Sequence, residues 1–224
     1  MDPYAYQTFR IIYEVTSAII FFTLVRFMIK PYQLTKETRY LGLPLGFGFL
    51  GVTSALAAFV FYQPYLLGTG TIYVQLVLRT FAYIFLSMTY YFSRKDTDSR
   101  RLWNFTFALV IVACLTLFLF IYIPAVALPD YSLTSTVARV FNLICILYIC
   151  AHTLISHIKK PDPETLWTPF GFIFLAISQY SLIIWAMDES MAAWWSALAF
   201  RWVALAIFLI ISWRSFHCVK RGIK

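Results

Sequence analysis

Residues 102–129 read LWNFTFALVIVACLTLFLFIYIPAVALP, 28 positions without a lysine, arginine, aspartate or glutamate. Roughly 20 apolar residues in a helix cross a hydrocarbon core about 30 Å thick, so this run is long enough to span a bilayer. In lipid the backbone must satisfy every N–H and C=O within its own segment, which makes such a run a helix. Six further runs of this kind occur at about 8–29, 43–63, 71–92, 134–156, 167–187 and 193–213. The expected fold is therefore all-α, a polytopic membrane protein of seven transmembrane helices in which the 103–124 helix is the fourth.

Composition agrees. The 224 residues are 61% hydrophobic, 20% aromatic and 12% charged, with a mean hydropathy of +0.75. These values lie far from those of a soluble domain. Seven spans consume the chain, so residues 1–224 read as a single transmembrane domain with no soluble catalytic or nucleic-acid-binding unit. The bilayer is the first partner, and the net charge of +8 belongs to loops rather than to a nucleic-acid surface. Met1-Asp2-Pro3-Tyr4 lacks a basic leader region, so the first helix is expected to remain in the mature protein.

The distribution of basic residues sets the expected orientation. Fourteen of the eighteen fall in four clusters: Arg26, Lys30, Lys36 and Arg39; Arg94, Lys95, Arg100 and Arg101; Lys159 and Lys160; and Arg214, Lys220, Arg221 and Lys224. The alternate connections, 63–70, 125–133 and 188–192, carry none. Basic loops stay in the cytoplasm, so the N-terminus is expected outside and the C-terminus inside, most simply in the plasma membrane. Trp103, Trp167 and Trp213 then lie at inner edges, and Trp185, Trp194 and Trp195 at outer edges, where indoles prefer to sit. The sequon Asn104-Phe105-Thr106 falls on the cytoplasmic side and is not expected to be glycosylated.

A repeat runs through the chain. LPLGFGFLGVT (43–53) aligns with TPFGFIFLAIS (168–178), pairing Pro44 with Pro169, Gly46 with Gly171, Phe47 with Phe172, Phe49 with Phe174 and Leu50 with Leu175 at a constant spacing of 125. LVLRTFA (76–82) answers LAFRWVA (198–204), which sets Arg79 against Arg201. Lys30-Pro31 and Lys160-Pro161 mark the ends of the first and fifth spans. These matches predict two parallel three-helix repeats, about 8–92 and 134–213, joined by the linker helix at about 103–124 and followed by a basic tail, 214–224. A three-helix unit plus one linker helix yields copies related by an axis along the membrane normal.

This three-plus-one-plus-three plan resembles the sugar-transporter/PQ-loop proteins, the ER retention-signal receptors and the microbial opsins. The opsin resemblance implies a Schiff-base lysine in the seventh helix, and none lies between Trp194 and Arg214. The PQ-loop resemblance implies Pro-Gln after helices one and five, where this chain has Lys30-Pro31-Tyr32-Gln33 and Lys160-Pro161-Asp162-Pro163. The stretch from Thr35 to Leu43 and the Gly-Phe run after it are similar in texture to seven-helix input modules of prokaryotic sensors.

The four arginines outside the clusters mark the candidate site. Arg79 lies about eight residues into its span, roughly 12 Å deep at 1.5 Å per residue, and Arg201 is at the same depth. A charge there costs at least about 2.5–3.5 kcal/mol unless it faces the bundle interior and finds a partner. Glu14 is the sole carboxylate inside a span. Arg10 lies one turn before it, with Tyr13 and Ser17 adjoining. Arg139 and Asn142 share the fifth span, and Gln75 precedes Arg79 by one turn. Ligand-binding candidates are thus Arg79, Arg201, Glu14, Arg10, Arg139, Gln75 and Asn142. Guanidinium forks suit a carboxylate or phosphate, so an anionic small molecule is the expected ligand. Two other readings stand beside this one: Glu14 pins helices together by neutralising an arginine, or Arg10 and Arg139 reach lipid phosphates.

No enzyme is expected. The chain has no HExxH or GxSxG pattern. His152 and His157 point about 140° apart around one helix, so no haem, metal or other cofactor is expected. Cys114, Cys145 and Cys150 read as small apolar core residues, and Cys218, just beyond the last span, as a candidate for palmitoylation. The functions in view are a ligand-sensing module, a secondary transporter of a small anionic solute, and an accessory subunit of a membrane complex. A sensor would need a cytoplasmic or membrane partner protein, for which the basic loops and tail are available.

Overall fold

The computed structural model describes residues 3–63, 70–92, 99–123, 128–159 and 166–221, with side chains described from Gln7 to Arg214 apart from 39, 99 and 100. Arg94, Lys95, Lys160, Pro161 and Lys224 lie outside the described residues, as does the side chain of Cys218. Every described element is a helix: α1 (Pro3–Met28), α2 (Lys30–Thr35), a 3-10 turn (Thr38–Leu41), α3 (Gly42–Tyr62), α4 (Gly70–Phe92), α5 (Ser99–Tyr122), α6 (Tyr131–Lys159), α7 (Trp167–Asp188) and α8 (Met191–Arg221). Seven of these segments are long and apolar enough to cross a membrane, Gln7–Thr35 counting as one. The chain has the architecture of an integral membrane protein.

Helix ends depart from the apolar runs where chemistry outside lipid decides them. The first helix begins at Pro3, ahead of position 8, and is interrupted at Ile29, because Pro31 withholds a backbone donor two residues later. Lys36 closes α2 in the left-handed conformation, φ 56°, its N–H reaching the carbonyl of Tyr32 at 2.8 Å. The stretch read as a basic tail from 214 is a continuation of α8 as far as Arg221. Pro44 and Pro169 each occupy the third position of their helices, where the missing N–H has no intrahelical acceptor to lose. Neither proline needs to kink its helix.

Six spans form a closed ring. α1 packs on α3, α3 on α4, α4 on α6, α6 on α7, α7 on α8, and α8 returns to α1. α5 stands outside the ring against α4. Its inner stripe, Phe107, Val110, Ile111, Cys114 and Phe118, packs on Phe81 and Phe85. Its outer stripe, including Leu109, Val112, Leu115 and Leu119, is exposed, as a lipid-facing side should be. Hydroxyls on exposed faces bond back to their own helix, Thr16 to the Ile12 carbonyl and Thr116 to that of Val112, both at 2.8 Å.

The ring closes on an apolar layer of Phe21, Leu24, Phe47, Leu50, Leu86, Ile146, Ile149, Phe172, Leu175, Leu205 and Phe208. Small residues permit the approach of the backbones. A Cβ on Gly46 would meet Leu86 and the Ala82 carbonyl, and one on Gly171 would meet the ring of Phe208. At Gly42 a Cβ would overlap the Thr89 hydroxyl and lie 2.9 Å from the Phe85 carbonyl, which as backbone cannot rotate away. Gly48 faces only Val25, at 3.7 Å. Gly42→Ala is therefore expected to cost about 1–3 kcal/mol through overpacking. Gly48→Ala should leave the unfolding midpoint level or raise it slightly. Thermal unfolding of the two purified variants checks this, and equal midpoints would contradict the packing described.

Candidate functional site

Cross-helix contacts sort the helix ends onto two sides. Arg10 of α1 lies over the ring of Phe61 at the end of α3 (3.8 Å) and near Trp194 at the start of α8 (5.8 Å). Gln7 donates to the Phe61 carbonyl at 2.6 Å. Tyr73 of α4 donates to the Pro129 carbonyl at 2.6 Å and packs against Tyr131 of α6. Thus the starts of α1, α4, α6 and α8 share one end. At the opposite end the Thr38 hydroxyl donates to Asn104 Oδ1 at 2.8 Å, and Phe92 packs edge-on against the buried Trp103.

Between the first end and the apolar layer lies a band of buried polar groups. Glu14, 6% exposed, turns to Arg201, with Oε1 3.5 Å from Nη1. Arg201 Nη2 donates to the Ser54 hydroxyl of α3 at 2.7 Å, reaching across the ring. The guanidinium also lies over Tyr13 (5.7 Å) and Phe21 (5.6 Å). Tyr13 is held by its hydroxyl, which donates to the Leu198 carbonyl at 3.1 Å, and by stacking on Trp202. One carboxylate, one guanidinium and one hydroxyl therefore tie α1, α8 and α3 together. Burying this pair carries a desolvation cost, so its integrity depends on both partners being present.

Arg79 has a different environment. It is half-buried on α4, close enough to Arg201 and Glu14 to interact with both charges. Among the described residues it makes no hydrogen bond or ion pair. One turn along α4, Tyr83 accepts a hydrogen bond from Gln179 Nε2 of α7 at 3.1 Å. Gln179 Oε1 is buried without a described partner. Asn142 of α6 is fully buried, and neither its Oδ1 nor its Nδ2 has a described partner. Ser17 Oγ and Glu14 Oε2 are in the same condition. Buried polar atoms without partners are uncommon and are usually met by bound water or ligand; Trp103 Nε1 and Ser212 Oγ, away from this band, are in the same condition.

The other sequence candidates divide. Arg139 donates to the Leu182 carbonyl at 3.0 Å and lies 5.6 Å from the Trp185 ring, still within electrostatic range of Arg79. Gln75 is half-buried one turn before Arg79. Arg10 is set apart, on Phe61 and Trp194, although it shares a helical face with Glu14. His152 packs among the rings of Tyr90 and Tyr148. Cys114 and Cys145 are buried and Cys150 half-buried.

Three participants, Ser54, Tyr83 and Gln179, were not among the sequence candidates. A signal for two of them was present: extending the 43–53 and 168–178 match by one residue pairs Ser54 with Gln179, polar with polar. Tyr83 had no comparable signal. No family model, curated protein or solved structure matches the chain.

Proposed function

We propose that this protein is a seven-helix sensor of the plasma membrane that binds a small anion between its helices, with the N-terminus outside and the C-terminus in the cytoplasm, and without enzymatic activity. The observation that carries this reading is the unequal treatment of two arginines at matching depth. Arg201 has Glu14 and Ser54; Arg79 has neither an ion pair nor a hydrogen bond among the described residues. A single carboxylate leaves the Glu14–Arg201–Arg79 group with a net positive charge, which an anion from outside would neutralise.

Two parallel repeats give this site its framework, and several features support them. The ring order α1-α3-α4-α6-α7-α8 maps onto itself when α1, α3 and α4 are exchanged with α6, α7 and α8. Residues 44, 46, 47, 50, 51, 53 and 54 are buried, and so is each residue 125 positions later. Gly46 packs on Leu86 and Gly171 on Phe208, partners separated by the same 122 positions as Arg79 and Arg201.

The continuous apolar layer beneath the arginines favours sensing over transport. An anion entering from the first end would meet phenylalanine, leucine and isoleucine rather than a polar path onward. A sensor of this size would pass its signal to a partner protein through the basic cytoplasmic face.

Purified protein should show a saturable rise in unfolding temperature with added carboxylates, while chloride at equal ionic strength should give none. A flat response to every anion would remove the ligand reading and favour an accessory subunit. The orientation is tested by thiol labelling in intact cells, where a cysteine introduced at Gly68 should react from outside and one at Thr97 should be protected. The reverse labelling would invert the proposed topology.

A further inference from the structure

The anion site proposed above can be assigned to one half of the bundle and to one class of ligand. In α1 residues 14, 17, 18 and 21 are buried, and in α6 so are 142, 145, 146 and 149, each 128 positions later. This register puts Asn142 in the place that Glu14 holds in the first half. The same exchange relates Arg201 to Arg79 and Ser54 to Gln179. α1 packs on α8 as α4 packs on α6, so each acidic or amide position on α1 or α6 shares an interface with its arginine helix. One half therefore contains arginine, carboxylate and hydroxyl in contact. The other contains Arg79 with two amides whose free atoms are buried, Asn142 being 0% and Gln179 3% exposed.

We infer that Arg79, Asn142 and Gln179 form a ligand subsite in which the carboxylate of a small 2-hydroxy acid occupies the place that Glu14 fills in the other half. The donors and acceptors specify this chemistry. Arg79 and the Asn142 Nδ2 are donors without acceptors, which a carboxylate satisfies through its two oxygens. Gln179 Oε1 and Asn142 Oδ1 are acceptors without described donors; an Arg79 N–H left over from the carboxylate can meet one, and a hydroxyl beside the ligand's carboxylate meets the other. Turning the Asn142 amide over leaves this balance unchanged, since both of its atoms are unpartnered. A hydroxyl suits the second role better than an ammonium group, because Arg79, Arg139 and Arg201 already outnumber Glu14 in the surrounding field. This assignment rests on the anion-binding reading and makes demands that reading does not.

The test compares three ligands of one shape, propionate, L-lactate and L-alanine, with inorganic phosphate as a fourth, by thermal shift of the purified full-length protein. L-lactate should act at a concentration at least about tenfold below propionate, since propionate leaves a buried acceptor unpaired. L-alanine and phosphate should act more weakly still. Asn142→Asp supplies the missing carboxylate within the chain. It should raise the midpoint without ligand and abolish the L-lactate shift. Placing it on an Arg79→Gln background should cancel the gain, which a merely better-packed residue 142 would not do. If the wild-type protein responds to none of the four, the anion-binding reading falls and this assignment with it. If it responds equally to L-lactate and propionate, prefers phosphate, or keeps its L-lactate response in Asn142→Asp, anion binding survives and the assignment of subsite and ligand class is wrong.

Discussion

Glu14→Gln is expected to lower the unfolding midpoint of the purified protein by about 10 °C. The side chain keeps its shape and one acceptor, so packing against α8 is preserved and only the charge is lost. Arg201 would then remain buried against Tyr13 and Phe21, with the Ser54 hydroxyl accepting from Nη2 and Arg79 repelling it. Removing one partner of a buried pair costs about 3–5 kcal/mol, because the remaining charge stays desolvated. For a chain of this length each kcal/mol corresponds to roughly 2–4 °C. Adding Arg201→Gln to the variant should restore part of the loss. An unchanged midpoint in Glu14→Gln, or no recovery in the double variant, would mean that the contact at 3.5 Å holds no helices together.

Arg79→Gln is expected to behave in the opposite way, leaving the fold nearly intact while abolishing stabilisation by carboxylates. The guanidinium at position 79 makes no described hydrogen bond or ion pair, so its removal orphans nothing. It also relieves repulsion with Arg201, which allows a midpoint equal to or slightly above that of the wild type. The anion response is lost because the uncompensated positive charge goes with it. The two measurements, midpoint without ligand and shift with ligand, are made on one sample. A fall in midpoint comparable to that of Glu14→Gln would make Arg79 a structural residue and leave the anion site without its main donor.

The seven spans were legible in the sequence because lipid leaves a long apolar segment no alternative to the helix. Their ends were less so. An apolar run marks what lies in hydrocarbon, whereas α1 starts at Pro3 and α8 extends to Arg221, beyond any hydrophobic limit. The break at Ile29 follows from Pro31, a local cause that hydropathy averages away. Within the site, Glu14, Arg79 and Arg201 stood out because charges are rare inside spans. The choice of Arg201 over Arg79 as the partner of Glu14 depends on α1 lying beside α8, and ring order is a long-range property. Arg10 illustrates the same limit. Its one-turn spacing from Glu14 put both on one face of α1, yet Arg10 lies over Phe61 and near Trp194 of two other helices. Ser54 and Gln179 carried only the one-residue extension of the repeat match as a signal and Tyr83 none, and the contacts of all three are made across the bundle.

Whether Arg79 holds the carboxylate of a bound ligand, as proposed, is decided by a distance measurement. Protein with 15N-labelled arginine, reconstituted in lipid and loaded with L-lactate carrying 13C in its carboxylate, can be examined by solid-state dipolar recoupling. A guanidinium–carboxylate pair places the carboxylate carbon about 4 Å from the nearest arginine nitrogen, well within range of the method. Strong carbon–nitrogen coupling that disappears in Arg79→Gln and persists in Arg139→Gln is the predicted result. A carboxylate signal that shows no coupling to arginine, or coupling that survives the loss of Arg79, would place the ligand away from Arg79.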